Sequence, residues 1–541
     1  MSDCGTLPDD PNAPLRRAIY VLLIGLAAVS SVARIFTVES TRHSTPFLSA
    51  NDRSRWSTVR ALVDYGTFAI DDVILRPNGK RDPDWSSIDI VRHRGRDGRE
   101  HFYSSKPPLF ATLLAAEYWC VKMISGATLG EQPFYVGRIM LVITNVIPFV
   151  IGLWLLALLI ERLGTTDWGR IFAVASAAFG TYLTTMNATL NNHTIAAVSV
   201  AVAIYYAISI WQADSQKFYW FTVAGFFAAM AAANELPAMS FTVAIAFALG
   251  LKSWRYMLAG FIPAAALVAI AAIATNYLAH DSWRPPYAHR NKDGAVVATI
   301  TGNAEQIDAL FKQLDDAKVP SELRKKLADS GIELSADANV ALRSGECRWV
   351  LFEPTREMRF AIAGAGNAIE IRDWDDWYEF DGSYWSSGKQ KGVDKGEPSR
   401  GVYLFHILFG HHGVFSLTPI WLLSAAGVIL WSKRKDPTTR GLALLALMLT
   451  LVCAAFYISR PLIDRNYGGV SCGFRWLFWL IPLWGLCLLP ACDRLASSRI
   501  GRGFALVLLA VSVFSACYSG NNPWSHPWLF EYWTTLGWIE Y

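Results

Sequence analysis

The chain has 541 residues, 53% hydrophobic, 13% aromatic and only 17% charged, with a formal net charge of +4 and a mean hydropathy of +0.26. This is too apolar for a soluble enzyme and too long for a simple membrane anchor. The small positive balance gives no basis for nucleic-acid binding, since the basic residues lie mostly in short loops between apolar runs.

Apolar runs of roughly 17 to 25 residues can cross a hydrocarbon core of about 30 Å as single helices. In chain order they are read near 18–38, 134–160, 169–187, 190–211, 218–234, 236–251, 256–279, 414–431, 441–458, 475–491 and 503–518, which makes about eleven crossings. The expected fold is all-α, a polytopic transmembrane helix bundle of about 11–13 helices with external juxtamembrane helices and a soluble external insertion. Three regions follow: 1–280 with a first external loop at 39–133, a soluble insertion at 281–413, and C-terminal transmembrane helices and tail at 414–541. Met1 to Pro14 is polar and the first apolar run lacks a small-residue cleavage site, so that run is expected to be retained as an anchor.

Lys and Arg in short loops orient the chain. Arg16, Arg17, Arg162, Arg170, Lys217, Lys252, Arg255, Lys433-Arg434-Lys435, Arg440, Arg494, Arg499 and Arg502 fall in alternate loops. All can be cytoplasmic together if the segment 106–125 does not make a full crossing. That segment opens near Pro107-Pro108 and carries Glu117 and Lys122, so it is expected to be a juxtamembrane or re-entrant helix. The N-terminus is then cytoplasmic, and 39–133 and 280–413 are external. Eight cysteines show no C-x-x-C or Cys/His metal spacing, which argues against a disulfide framework, with one external pair such as Cys347 and Cys472 left open.

The charged motif Asn51-Asp52-Arg53-Ser54-Arg55-Trp56 follows the first apolar run and is answered by Ser105-Lys106-Pro107-Pro108-Leu109. Charges at the rim of a bilayer must face water, a partner charge or a polar ligand, because lipid contact costs several kcal/mol. Between the motifs, 54–65 puts Trp56, Val59, Leu62 and Val63 on one helical face with Arg55, Arg60 and Asp64 elsewhere. That is the pattern of a helix lying in the interface plane, holding Asp52 near the lipid surface. The insertion carries a helical stretch around 303–329 and an aromatic-acidic stretch at 372–378.

Asp52-Arg53-Ser54-Arg55-Trp56, the amphipathic helix, and Tyr103-Ser104-Ser105-Lys106-Pro107-Pro108-Leu109 together resemble the D-E-x-R-Y and K-P-P-L motifs in the first external loop of GT-C-fold transferases that use lipid-linked sugars. Bacterial aminoarabinose transferases, and more distantly protein O-mannosyltransferases, carry such motifs. The resemblance covers roughly the first 280 residues. Asn466-Tyr467-Gly468-Gly469 and Cys472-Gly473-Phe474-Arg475-Trp476 add a likeness to a G-G…G-P-R stretch. Arg53 replaces the second acidic residue of the first motif, removing a carboxylate that a metal would use, and Phe474 replaces the middle proline of the last. The resemblance implies a GT-C-like bundle and an inverting transfer from a polyprenyl-phosphate-linked sugar.

The residue types fit that chemistry on their own terms. Sugar transfer from a polyprenyl phosphate needs a base for the acceptor proton and cations for the phosphate leaving group. Asp52 is read as the catalytic base. Arg55 supplies a planar fork for phosphate and Lys106 a compact charge, held near the mouth of a groove by the two prolines that follow. His193, Glu235 and Arg475 are read as substrate-binding residues near the external ends of helices. Each has a plainer reading: Asp52 as a helix N-terminus charge, Lys106 as a snorkelling lysine, His193 within a capping cluster, Glu235 as a solvated turn, and Arg475 as an interface anchor. His406, His411 and His412 lack an acidic partner at ligand spacing. No metal site is assigned, a divalent cation near Asp373 to Asp376 being the weaker alternative to a solvated loop.

The expected function is glycosyl transfer to a lipid, glycan or protein acceptor at the outer face of the cytoplasmic membrane, with the donor, the bilayer and an unknown acceptor as partners. A transporter or flippase of lipid-linked sugars is the rival reading. A non-catalytic subunit binding a glycan through Trp374, Trp377, Tyr378, Tyr384 and Trp385 is a third.

Overall fold

The structure, a computed structural model, describes residues 10–342, 349–386 and 388–541. The chain forms two compact units. One comprises Met1–Asp52, Thr112–Ile273 and Lys391–Tyr541, and the other Arg53–Ala111 and Ala274–Gln390.

Six described helices are long and apolar enough to cross a membrane: Ala13–Thr37, Pro133–Leu163, Asn192–Gln212, Trp254–His280, Pro437–Ser459 and Arg499–Tyr518. Arg475–Cys487 and Leu489–Leu495, bent by 40°, add a seventh if they act as one span. The chain is a multi-pass membrane protein. The expected eleven crossings are reduced because hydropathy counts apolar residues and not helix breaks. The run at 169–187 is split into Asp167–Phe179 and Tyr182–Met186. The run at 414–431 is split into Val414–Leu417 and Trp421–Ser432 around Pro419, which has no N–H to donate. Three further apolar helices, Phe218–Asn234, Leu236–Lys252 and Trp421–Ser432, have 10–17 residues. The helix Pro108–Ser125 has 18 residues and is not among those apolar enough to span.

Within the first unit, Asn192–Gln212 is the most enclosed of the long helices, with 72% of its apolar window buried. Its interior positions are small, including Ala196, Ala197, Ala201 and Ala203, and small residues let helix backbones approach closely in a bilayer. Asn191 caps it, its side chain accepting from the Thr194 N–H at 2.8 Å.

The second unit corrects the all-α expectation. Strands β1 (Ile90–Arg94) and β2 (Glu100–Ser104) form an antiparallel hairpin. Strands β3 (Asp293–Thr301), β4 (Asn339–Leu342), β5 (Trp349–Glu353), β6 (Met358–Gly364) and β7 (Ala368–Trp374) form a five-stranded antiparallel sheet in the order β3-β7-β6-β5-β4. Alternate residues Leu351, Phe360, Ile362, Ile369 and Ile371 face one side and pack with Ile307, Leu310, Leu314, Leu323 and Leu327 of the helices Ala304–Asp315 and Ser321–Asp329. The helical stretch expected around 303–329 is therefore present, as two helices. A period of two is the strand signature, and in such short runs it does not stand out from the long apolar helices around it.

The helix Ala50–Arg60 is not the surface helix expected. Trp56 and Val59 are buried, and so are Arg55, Ser54 and Ser57 on its other faces. Ser54 donates to the Asp89 carbonyl and Ser57 to the Trp85 carbonyl, so these short hydroxyl side chains are satisfied inside the fold.

Candidate functional site

In the first unit the structure brings four of the six expected site residues into one network. Asp52 is fully buried. Its Oδ2 accepts from the Leu48 N–H at 2.9 Å and the Thr189 hydroxyl at 2.7 Å. Its Oδ1 accepts from the Ser49 N–H at 2.8 Å, while the Ser49 hydroxyl accepts from the Asp52 N–H at 3.1 Å. This reciprocal Ser-x-x-Asp pairing is a capping box at the start of the helix. The expectation that Asp52 lies at the lipid surface is thus corrected: its carboxylate is an enclosed helix cap, held by donors from its own turn and from Thr189.

Thr189 in turn accepts from the Trp524 indole N–H at 3.2 Å, and the Arg475 guanidinium lies over the Trp524 ring at 5.0 Å from its centroid. Arg475 donates to the Gly468 carbonyl at 2.8 Å and to His193 Nε2 at 2.8 Å. Gly468 sits at φ +91, and a Cβ there would meet the Arg475 side chain at 2.6 Å, so both the backbone turn and the seat of the arginine require glycine. An arginine can only donate, so Nε2 of His193 is the accepting nitrogen and the ring proton sits on Nδ1. That nitrogen is paired with Glu235 Oε1, which also accepts from the Asn192 amide at 2.6 Å.

The local sequence explains these positions. Glu235 ends the helix Phe218–Asn234, where Pro237 in the following 3-10 turn, Leu236–Ala238, stops its continuation. His193 is in the first turn after the Asn191 cap. Arg475 opens the 3-10 segment Arg475–Leu480. Each is at the end of an apolar helix, and the ends converge. His193 and Glu235 are buried and Arg475 is half-buried, so the solvated-turn reading of Glu235 does not hold.

Arg55 and Lys106 lie in the second unit, where both line one small cavity of about 10 Å³ with Tyr103, Pro107, Pro108 and His280. A space of that size holds about one water. Lys106 pairs with Asp89 Oδ2 at 2.9 Å and lies just before the helix that Pro108 begins.

Elsewhere the histidine segment is tied to the last residue of the chain, His411 Nε2 meeting the Tyr541 hydroxyl at 2.9 Å. Among the described residues no group of three or more His, Cys, Asp or Glu is arranged to hold a metal ion. Asp375 bonds His289 and Arg284, each at 2.6 Å, and Asp376 is buried, so of the run expected to be a solvated loop only Asp373 is exposed. Burial alone would raise the Asp375 carboxyl, but the His289 and Arg284 hydrogen bonds outweigh it and hold it below the ordinary carboxylate range. Trp377 and Tyr378 are buried too, which removes them from the exposed aromatic surface of the glycan-binding reading. Cys472 is a free thiol, and Cys347 lies outside the described residues.

Sequence reasoning missed Thr189, Asn192, Trp524 and Asp89. Asn192 stood beside His193 in the polar group opening an apolar helix, which was signal enough. Trp524 lies in a tail without periodicity and gave none.

Comparison with protein-family models and with curated protein sequences returns no match. Among solved structures, the S. cerevisiae protein O-mannosyltransferase complex bound to its sugar donor aligns over 96% of this chain and 92% of that one, at 12% identity and a TM-score of 0.45. The Archaeoglobus fulgidus oligosaccharyltransferase in the apo form aligns over 96% of this chain at 12% identity and a TM-score of 0.42. The chain spans 57% of that archaeal protein's length. The same archaeal protein tethered to an acceptor peptide gives a TM-score of 0.41.

Proposed function

We propose that this protein is an inverting glycosyltransferase that moves a sugar from a polyprenyl-phosphate donor to a lipid, glycan or protein acceptor at the outer face of the cytoplasmic membrane. The observation that carries the reading is the chain Arg475–His193–Glu235, a guanidinium, an imidazole of fixed tautomer and a carboxylate in line. A phosphate drawing the Arg475 guanidinium toward itself releases the Nε2 lone pair of His193. The acceptor O–H then gives its proton to Nε2 as its oxygen attacks the anomeric carbon, and the carbon–oxygen bond to the phosphate breaks. Glu235 stabilises the imidazolium formed, and Arg475 takes up the charge on the departing phosphate. A single displacement inverts the anomeric centre.

Asp52 remains the alternative base, and its capped geometry supports a positioning role through Thr189 and Trp524 instead. Arg55 and Lys106 are proposed to act on the anionic part of the donor, with Asp89 as the partner Lys106 must exchange. The test is transfer from a radiolabelled polyprenyl-phosphate sugar pool by purified protein in lipid, supplied with an envelope acceptor extract. Wild-type turnover, reduced about 10²–10⁴-fold in His193→Gln as expected for loss of a general base, supports the reading. Full turnover in His193→Gln with loss in a well-folded Asp52→Asn moves the base to Asp52. Donor binding without transfer in any acceptor fraction favours the carrier.

A further inference from the structure

The second unit contains a cavity of about 420 Å³ walled by β1, β2, the segment 67–72 and the end of the helix Trp254–His280. Small-molecule sites occupy roughly 300–1,000 Å³, so the space suits a ring-sized ligand. Its polar wall is already fixed in direction. His101 lies between two carboxylates, Nδ1 at 3.2 Å from Asp71 Oδ2 and Nε2 at 2.9 Å from Asp97 Oδ2. Each contact calls for a donor, so the ring is held as an imidazolium between two acceptors. His93 directs Nδ1 to the Arg94 carbonyl at 3.0 Å and Nε2 to His280 Nδ1 at 3.0 Å. A carbonyl takes only a donor, so His93 Nδ1 carries the proton, Nε2 accepts from His280, and His280 keeps an accepting lone pair on its own Nε2. Burial supports the neutral form of His93, lowering it to about 4.

The cations of this wall are committed elsewhere. Arg94 donates to the Gly98 and Arg356 carbonyls at 2.7 and 3.1 Å. Arg96 donates to the Tyr277 carbonyl at 3.3 Å and pairs with Asp281 at 3.5 Å. What the cavity presents is therefore rich in hydrogen-bond acceptors, the carboxylates of Asp71, Asp72, Asp97 and Asp281 and an imidazole lone pair, with the Thr67 and Tyr103 hydroxyls, beside the apolar Phe68 and Ala279. Among the described lining residues the carboxylates of Asp71, Asp72, Asp97 and Asp281 outnumber Arg94, Arg96 and the His101 imidazolium, which disfavours an anion. A ligand with several hydroxyl donors on a compact ring satisfies both the acceptors and the apolar wall. Gly95 keeps the space open: a Cβ there would meet the Tyr103 hydroxyl at 2.9 Å, His101 Cδ2 at 3.0 Å and Asp97 Oδ1 at 3.1 Å.

We propose that this cavity is a saccharide-binding site that takes a neutral sugar ring through Asp71, Asp97 and His280. The assignment does not rest on the transferase reading, since a glycan-binding protein without chemistry would use it equally. The test is calorimetric titration of the full-length protein in detergent, without donor, using the methyl glycosides of glucose, mannose, galactose and arabinose, with putrescine and inorganic phosphate as competing chemistries. Saturable binding of at least one glycoside is expected, weakened about tenfold or more in Asp97→Asn, whose half-exposed side chain can be changed without opening the core, and in Gly95→Val. Absence of glycoside binding, tighter binding of putrescine or phosphate, or glycoside binding unchanged in Asp97→Asn would each overturn the proposal. If Gly95→Val does not fold, Asp97→Asn decides alone. Transfer from a lipid-linked donor is read in a separate assay, so failure of one leaves the other standing.

Discussion

Replacing Asp52 by alanine separates a helix cap from a catalytic base. The substitution leaves the Leu48 and Ser49 N–H groups without their acceptor and removes the partner of the Thr189 hydroxyl. An unsatisfied buried donor costs about 1–3 kcal/mol, and loss of an N-terminal cap about 0.5–2 kcal/mol. The Ser49 N–H belongs to both terms, Leu48 is only half-buried, and Thr189 keeps the Trp524 bond by which it accepts. The expected loss is therefore about 2–4 kcal/mol. Asp52→Asn keeps one accepting oxygen and can turn its NH₂ toward the Thr189 oxygen, so its cost is about 1–2 kcal/mol. The measurement is the thermal midpoint of detergent-purified protein followed by fluorescence-detected size exclusion, together with transfer normalised to folded protein. A graded fall in midpoint, alanine below asparagine below wild type, with transfer following the folded fraction, is expected. An asparagine variant as stable as wild type yet inactive would refute the cap argument and restore Asp52 as the base.

Arg475→Lys replaces a planar fork that reaches both the Gly468 carbonyl and His193 by a single ammonium. Donor KM is expected to rise and kcat to fall together, and unchanged kinetics would remove Arg475 from the phosphate. In the second unit, Leu351 and Ile362 are fully buried, so Ile362→Ala is expected to destabilise the sheet by about 2–5 kcal/mol, seen as faster hydrogen exchange in β5, β6 and β7 with little change in the transmembrane helices. The Asp71–His101–Asp97 array gives a pH window. Burial lowers His101, but the hydrogen bond it donates to Asp97 and the charge of Asp71 outweigh it, so it titrates above its ordinary 6.5. Its contribution is complete below that value and lost as pH rises through the folded one. The His101 hydrogen bond and the Arg99 N–H depress Asp97 below its ordinary 3.8, so its contribution is present above that value and lost as pH falls. Glycoside binding and His101 protonation, read by imidazole NMR, are expected to decline together above 6.5, and a His101 midpoint below that would contradict the geometry.

The sequence carried the local terms of this fold well. The capping cluster around His193 marked a helix start, Glu235 was read at a turn between apolar helices, and Pro107-Pro108 was read as holding Lys106 outside a helix. Each signal is a backbone constraint acting within a few residues. What it did not carry was whether a polar helix face finds water or a partner. Arg55 read as lying off the apolar face of a surface helix, yet it is buried along with Ser54 and Ser57, whose partners, the Asp89 and Trp85 carbonyls, lie 35 and 28 residues further on. Asp52 read as an exposed base for the same reason, its partner Thr189 lying 137 residues away.

The five-stranded sheet escaped on different grounds. Its strands are four to nine residues long and two of them, β6 and β7, are joined by a turn through Gly366 at φ +60, so the alternation never runs long enough to outweigh the helical signals on either side. The candidate site lies between these extremes. His193, Glu235 and Arg475 were each legible as a polar group ending an apolar helix, because lipid tolerates such groups only where something meets them. That they meet one another follows from which helix ends converge. Residues 193 and 475 stand 282 positions apart, and no periodicity spans that distance. A polar residue at the end of an apolar helix is therefore a statement that a partner exists, and only packing names it. Trp524 makes the point most sharply: with no helix to end and no pattern to break, it holds the Asp52 and Arg475 halves of the network together through one indole, its N–H on Thr189 and its ring face under the guanidinium.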